Sequence, residues 1–205
     1  MANLYLNEDE LRRWQVDRGD EVYSTNYNLN PNSHVVEIGG FEGAWARKIF
    51  YEYACNMYVV EPLPDFFESL QRGLGRHEKV RLLNTGVGLK DGKDMIYLGG
   101  DGTSFSAETK NSVEVELRTI SRIFDEWGLQ EIDLLQMNIE GAEYDILENM
   151  IEVGVIDRIK NIQIQFHLGL KNDVERRYYI SKGLEARGFK RRFNYPFVWE
   201  GWTKN

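Results

Sequence analysis

The chain has 205 residues, a formal charge of −8, 13% aromatic residues and one cysteine. That length suits one ordinary domain with a core that needs no disulfide or metal, and a lone cysteine excludes an internal disulfide. The acidic balance argues against nucleic acid as the main substrate, and no apolar run nears the roughly 18 residues of a membrane span.

The charged start, MANLYLNEDELRRW, is not a signal peptide, so a cytoplasmic protein is expected, with Cys55 as a small core hydrophobe. Residues 7–18 predict a short helix with Asn7 as N-cap and Glu10 as capping-box partner. Residues 24–33 read as loop, and 1–33 together as an appendage of the domain formed by 34–205. From His34 the pattern alternates. Strands are predicted at 34–39, 56–62 and 80–88, separated by helices at 43–54 and 65–74. Segments 94–99 and 113–117 alternate apolar and polar like half-exposed strands, with a loop at 99–106 between them. A helix at 120–128, a strand at 132–141, a helix at 142–153 and a strand at 159–167 follow. The chain ends with a charged helix at 172–187 and a hairpin at 189–202, whose Lys190, Arg191 and Arg192 read as a solvated strand end. The expected fold is α/β, a mostly parallel sheet with a C-terminal antiparallel hairpin.

Four strand ends carry chemistry. Glu37-Ile-Gly39-Gly40-Phe-Glu-Gly43 lies where a strand becomes a helix. Glycines there admit close backbone approach, and a helix N-terminus offers free N–H groups to a carboxylate or phosphate. By itself the segment equally reads as a tight turn. Glu61 ends the next strand, where a carboxylate can take both hydroxyls of a ribose. The pair implies an adenosyl ligand over the carboxyl ends of the first two strands. Asn138 and Glu140 fall on one side of the extended segment 136–140, facing the ligand's reactive side. Glu140 reads alternatively as a helix cap, and Glu143 as an acid that favours the helix dipole. His167 ends the fifth core strand as a general base or a structural histidine; His34 and His77 receive no role.

VVEIGGFEGAWARKIF, VVEPLPDFFESL, LLNTGVGLKDG, IDLLQMNIEGAEYDIL and IQIQFH together resemble the FkbM family of methyltransferases, over about residues 34–167. The resemblance implies a Rossmann-like class I methyltransferase fold with a seven-stranded sheet, S-adenosylmethionine as cofactor, and O-methylation of sugars or glycans. By it, Glu37, Gly39, Gly40 and Gly43 hold the methionine moiety and Glu61 the ribose. Gly86 lies beside the adenine, and Asn138 and Glu140 face the methyl group and the acceptor. The family usually has Asp at positions 37 and 138; Glu37 keeps the charge, whereas Asn138 removes it.

A sugar hydroxyl needs a base, for which His167 is chosen, with Glu140 orienting it or acting in its place. Asn138 and Glu140 offer too few carboxylate oxygens to favour a divalent metal. Tyr23, Tyr27, Tyr195, Phe197, Trp199 and Trp202 are candidates for stacking on the sugar or for core packing. Glycosyltransferases, fused or separate, would be natural partners. The rival readings are a nicotinamide-dependent Rossmann oxidoreductase and a methyltransferase fold that binds without turnover.

Overall fold

The computed structural model describes residues 2–99, 102–104 and 112–204. Helices α1 (Ala2–Val16) and α2 (Gly19–Val22) precede an alternating run: β1 (His34–Ile38), α3 (Ala44–Tyr53), β2 (Asn56–Val60), α4 (Pro64–Leu74) and β3 (Val80–Leu83). Next come β4 (Gly86–Gly88), β5 (Gly92–Gly99), β6 (Gly102–Ser104), β7 (Ser112–Thr119) and α5 (Ile120–Glu126). The chain closes with β8 (Leu134–Met137), α6 (Glu143–Glu152), β9 (Asn161–Ile164), α7 (Asp173–Ala186), β10 (Lys190–Tyr195) and β11 (Trp199–Thr203).

The main sheet has seven strands in the order β10-β11-β9-β8-β1-β2-β3. The pairings from β9 through β3 are parallel, and β11 runs antiparallel to both its neighbours. The expected Rossmann-like α/β architecture is therefore present, terminal hairpin included. After β3 the chain returns to place β8 on the free side of β1, so the order reverses between β1 and β8. In such sheets ligands bind at this switch point, outside the strands' carboxyl ends.

Burial on both faces explains the near-continuous apolar strands. One face packs Val36, Ile38, Leu135, Met137, Ile162 and Ile164 under the later helices. The other packs Val35, Met57, Val59 and Leu134 against α3 and α4, with Tyr27 and Leu29 from the loop after α2; Cys55 is fully buried there. Trp14 and Tyr23 fix the N-terminal segment by packing on Phe193 and Tyr195 of β10.

Three expectations give way. Helix α1 begins at Ala2, so Asn7 lies inside it and not at its N-cap position. The segment 80–88 is two strands in different sheets: β3 in the main one, and β4 in a four-stranded sheet ordered β4-β7-β5-β6. Asn84 causes the break by donating its amide to the carbonyls of Glu61 and Pro62, while the Thr85 hydroxyl bonds the Glu116 carbonyl. Within the expected loop at 99–106, Gly102–Ser104 forms β6, and the remainder at 100–101 and 105–106 lies outside the described residues. Among the described residues no helix is long and apolar enough to cross a membrane.

Gly39 sets the spacing at the switch point. It has φ +86°, and a Cβ there would lie 2.1 Å from the carbonyl oxygen of Asn138. Gly39→Ala is expected to cost upward of about 2 kcal/mol, because the clash is with backbone that cannot rotate away. Urea denaturation measures this; an unchanged midpoint would mean that the two loops separate freely.

Candidate active site

Glu37 and Gln136 are register partners on β1 and β8, so their side chains share the face covered by α3 and the N-terminal segment. Gln163 is next in the same row, on β9. Its amide is satisfied: Tyr27 donates its hydroxyl to it at 2.9 Å and it donates to Ser24. The other two are not. Glu37 and Gln136 are 2% and 3% exposed, and Glu37 Oε2 and Gln136 Oε1 find no donor among the described residues. The same holds for the buried Oδ1 of Asn138, two residues further on. Burial, reinforced by Glu61 and opposed by Arg47, pushes the Glu37 carboxyl well above the ordinary carboxylate range. Three acceptor atoms without a donor among the described residues, one of them on a buried carboxyl, form a place for a cationic donor, whose charge would favour the ionised form of that carboxyl.

The glycines beside them answer first to packing. A Cβ on Gly40 would meet Val59 at 2.3 Å, and one on Gly43 would meet Leu70 at 2.6 Å. Gly43 caps α3 without a side-chain bond, which leaves the first N–H groups of α3 open to an anion. Glu61, just past β2, is 5% exposed and already accepts the N–H of Phe41 at 2.8 Å and of Leu63 at 2.9 Å, one on each oxygen. It ties the glycine loop to the start of α4 and keeps one lone pair per oxygen for a ligand. Burial raises its pKa, against the two N–H groups. Gly86 is buried next to Leu117 and Pro62. From Val87 a cleft of about 410 Å³ runs between β4 and the start of α6. Val87, Leu117, Ile146 and Leu170 give it apolar walls, and Glu140 and Asp145 stand at it. Glu37 and Glu61 do not line it.

Glu140 departs from expectation. The chain is no longer extended there: Glu140 has φ +54°, which turns its carboxylate toward His167 rather than along the side of Asn138. Glu140 Oε2 lies 3.4 Å from His167 Nε2. The other ring nitrogen, Nδ1, is 2.7 Å from Oε1 of Glu143, which also accepts the His167 backbone N–H at 2.9 Å. The second Glu143 oxygen takes the N–H of Gly141 at 2.8 Å. Burial would lower the His167 pKa, but hydrogen bonds and charge from Glu140 and Glu143 outweigh it and push it up to about 9. The imidazole is therefore charged at neutral pH.

The structure gathers Glu37, Gly39, Glu61, Asn138, Glu140 and His167 at one edge of the sheet. Sequence reasoning passed over Gln136, which reads as one more strand residue, and Glu143, assigned to the helix dipole. Its 0% exposure was not legible, although its i+3 spacing from Glu140 brings both to one turn. Of the aromatic candidates, Tyr27, Phe197 and Trp202 are buried in the core, and Tyr195 packs under Trp14, so core packing claims them. His34 bonds the Tyr58 hydroxyl, and His77 packs on Phe50, each apart from these residues. Among the described residues, no group of three or more His, Cys, Asp or Glu side chains is spaced to hold a metal ion.

The family model described as the methyltransferase FkbM domain matches residues 34–195. Methyltransferase-like protein 24 of Rattus norvegicus is 32% identical over 82 residues, which cover 36% of this chain and 23% of that protein. The 2-O-methyltransferase NoeI of Sinorhizobium fredii is 23% identical over 138 residues, 57% of each chain. The chain thus spans less than two thirds of either relative. A human methyltransferase 10 domain containing protein superposes with a TM-score of 0.52 at 7% identity, over 88% of this chain and 74% of that one. The Methanococcus jannaschii fibrillarin pre-rRNA processing protein gives 0.50 at 14%, over 87% and 69%. At such identities these likenesses establish the fold alone.

Glu37→Gln is expected to stabilise the ligand-free protein. A carboxyl whose folded pKa lies above its unfolded value costs stability in its ionised form, so the gain is absent near pH 4 and grows as pH rises above 4.5. Thermal unfolding across that range measures it; a variant less stable at pH 8 than the parent would contradict the buried-acid account.

Proposed function

The chain belongs to the FkbM methyltransferase domain family, and on that premise we propose that it is an S-adenosylmethionine-dependent O-methyltransferase acting on a sugar hydroxyl. The carrying observation is the trio of donorless acceptors on Glu37, Gln136 and Asn138. The cofactor's ammonium is the cation they lack, and the open N-terminus of α3 suits its carboxylate. Gly39, Gly40 and Gly43 form the turn that holds these groups together. Glu61 takes the ribose hydroxyls with its remaining lone pairs. The adenine lies past Gly86 in the apolar cleft from Val87, where Asp145 offers an acceptor to its amino group.

S-adenosylmethionine supplies a methyl group already activated on a sulfonium, so the protein's main duty is positioning, a contribution of about 7–11 kcal/mol in well-oriented reactions. Asn138 orients the acceptor hydroxyl. The acceptor oxygen gains the methyl group and gives up its proton, which Glu140 takes. His167, expected from sequence as the base, carries its own proton at neutral pH and is assigned to hold Glu140 in place. A sugar acceptor, such as a deoxyhexose in a glycan, is supported by the family resemblance and by the relative named as a 2-O-methyltransferase.

Isothermal titration with S-adenosylhomocysteine and with NAD in parallel tests the cofactor. Tight binding of the first and none of the second is expected, and Glu61→Ala should weaken it about tenfold or more, the loss of a charged hydrogen-bonding group. Incubation with methyl-labelled cofactor and a sugar panel, read by mass spectrometry, should place the label on a hydroxyl. NAD binding, or label only on protein or nucleic acid, would refute the proposal.

A further inference from the structure

We propose that Glu143 is a positioning residue for methyl transfer: it grips His167 at Nδ1 and at the backbone N–H, so that only Nε2 is free and faces Glu140. The inference rests on the assignment of Glu140 as base. Glu143 is the first residue of α6 and is 0% exposed. A buried carboxylate is costly unless every lone pair finds a donor. Here one oxygen takes two N–H groups of His167 and the other takes that of Gly141. One side chain therefore joins the loop after β8, which carries Glu140, to the loop after β9, which carries His167. Tyr144 fixes the same loop by donating its hydroxyl to the His167 carbonyl at 2.8 Å.

A carboxylate on Nδ1 fixes which ring nitrogen exchanges its proton, the arrangement that orients catalytic histidines generally. Nε2–H then points at Glu140, whose strained backbone holds its carboxylate in reach. The charges facing the ring are Glu140 from the loop after β8 and Glu143 from α6. Asp173 and Arg177 of α7 and Glu200 of β11 lie behind, where they act on Tyr144. The contact with the ring, added to the two backbone bonds, is the observation on which the proposal rests.

The test is a long-range ¹H–¹⁵N titration of the imidazole in the whole protein, with His167→Gln to assign the resonance, alongside titration with S-adenosylhomocysteine. The parent should show both ring nitrogens protonated through neutral pH and a midpoint near 9. In Glu143→Gln the midpoint should fall toward 6.5, with S-adenosylhomocysteine affinity unchanged. A parent midpoint near 6.5 would overturn the proposal without need of a variant. So would a Glu143→Gln midpoint that stays in place, or loss of S-adenosylhomocysteine binding in that variant alone, which marks a structural residue. If the parent itself fails to bind S-adenosylhomocysteine, the cofactor assignment falls, and the ring titration still decides whether Glu143 governs His167.

Discussion

The close approach of two parallel strand ends governs this site. Where β1 and β8 part, the chain turns one way into α3 and the other way into α6. Gly39 has no Cβ and so lets the Asn138 carbonyl sit against the opposite loop. That contact brings Glu37, Gln136 and Asn138 into one neighbourhood and sets the glycine turn over them. Glu61 then anchors the turn from the β2 side by accepting the Phe41 N–H. The ends of three strands are thereby held by backbone bonds and one absent methyl group, before any side chain meets a ligand.

Electrostatics divide the edge into two zones. Inside, among Glu37, Gln136, Asn138 and Glu61, three acceptors have no donor among the described residues, and the proposed function gives that place to the cofactor's cation. Outside, Glu140, His167 and Glu143 form two carboxylates around one imidazolium, an arrangement already satisfied. On the proposed function, the first zone binds the cofactor and the second exchanges a proton. Their separation follows from depth: Glu37 is 2% exposed, whereas the Glu140 side chain is 37% exposed.

The alternation of apolar strands with helices, and glycine or acid at strand ends, made the sheet and its ligand edge legible in the sequence. Burial on both faces leaves continuous apolar runs, and HVVEIG and NMYVV are such runs. What stayed hidden was set by tertiary contact. The break at 84–85 depends on Asn84 reaching carbonyls of the neighbouring strand end, which no local pattern announces. Glu140 looked extended because a strand preceded it, yet a left-handed turn redirects it. Glu143 looked like a dipole acid because its partner, His167, is 24 residues away. Of the aromatic candidates, Tyr23 and Tyr195 proved to help the N-terminal segment adhere to β10, whereas Tyr27, Phe197 and Trp202 belong to the main core.

The asparagine at 138 fits the same division of charge. Glu37 is already held above its ordinary range by burial and by Glu61. A third carboxylate on this dry face would repel both, and each added buried charge must be matched by a counter-charge or remain protonated. Asparagine keeps the acceptor oxygen without the charge, as Gln136 does beside it. The consequence is that no ionised base is available at the inner position. On the proposed function, proton removal falls to a group further out that has a cation beside it. Glu140 next to His167 meets that requirement, so the loss of charge at 138 and the buried Glu143 behind the histidine are two parts of one arrangement.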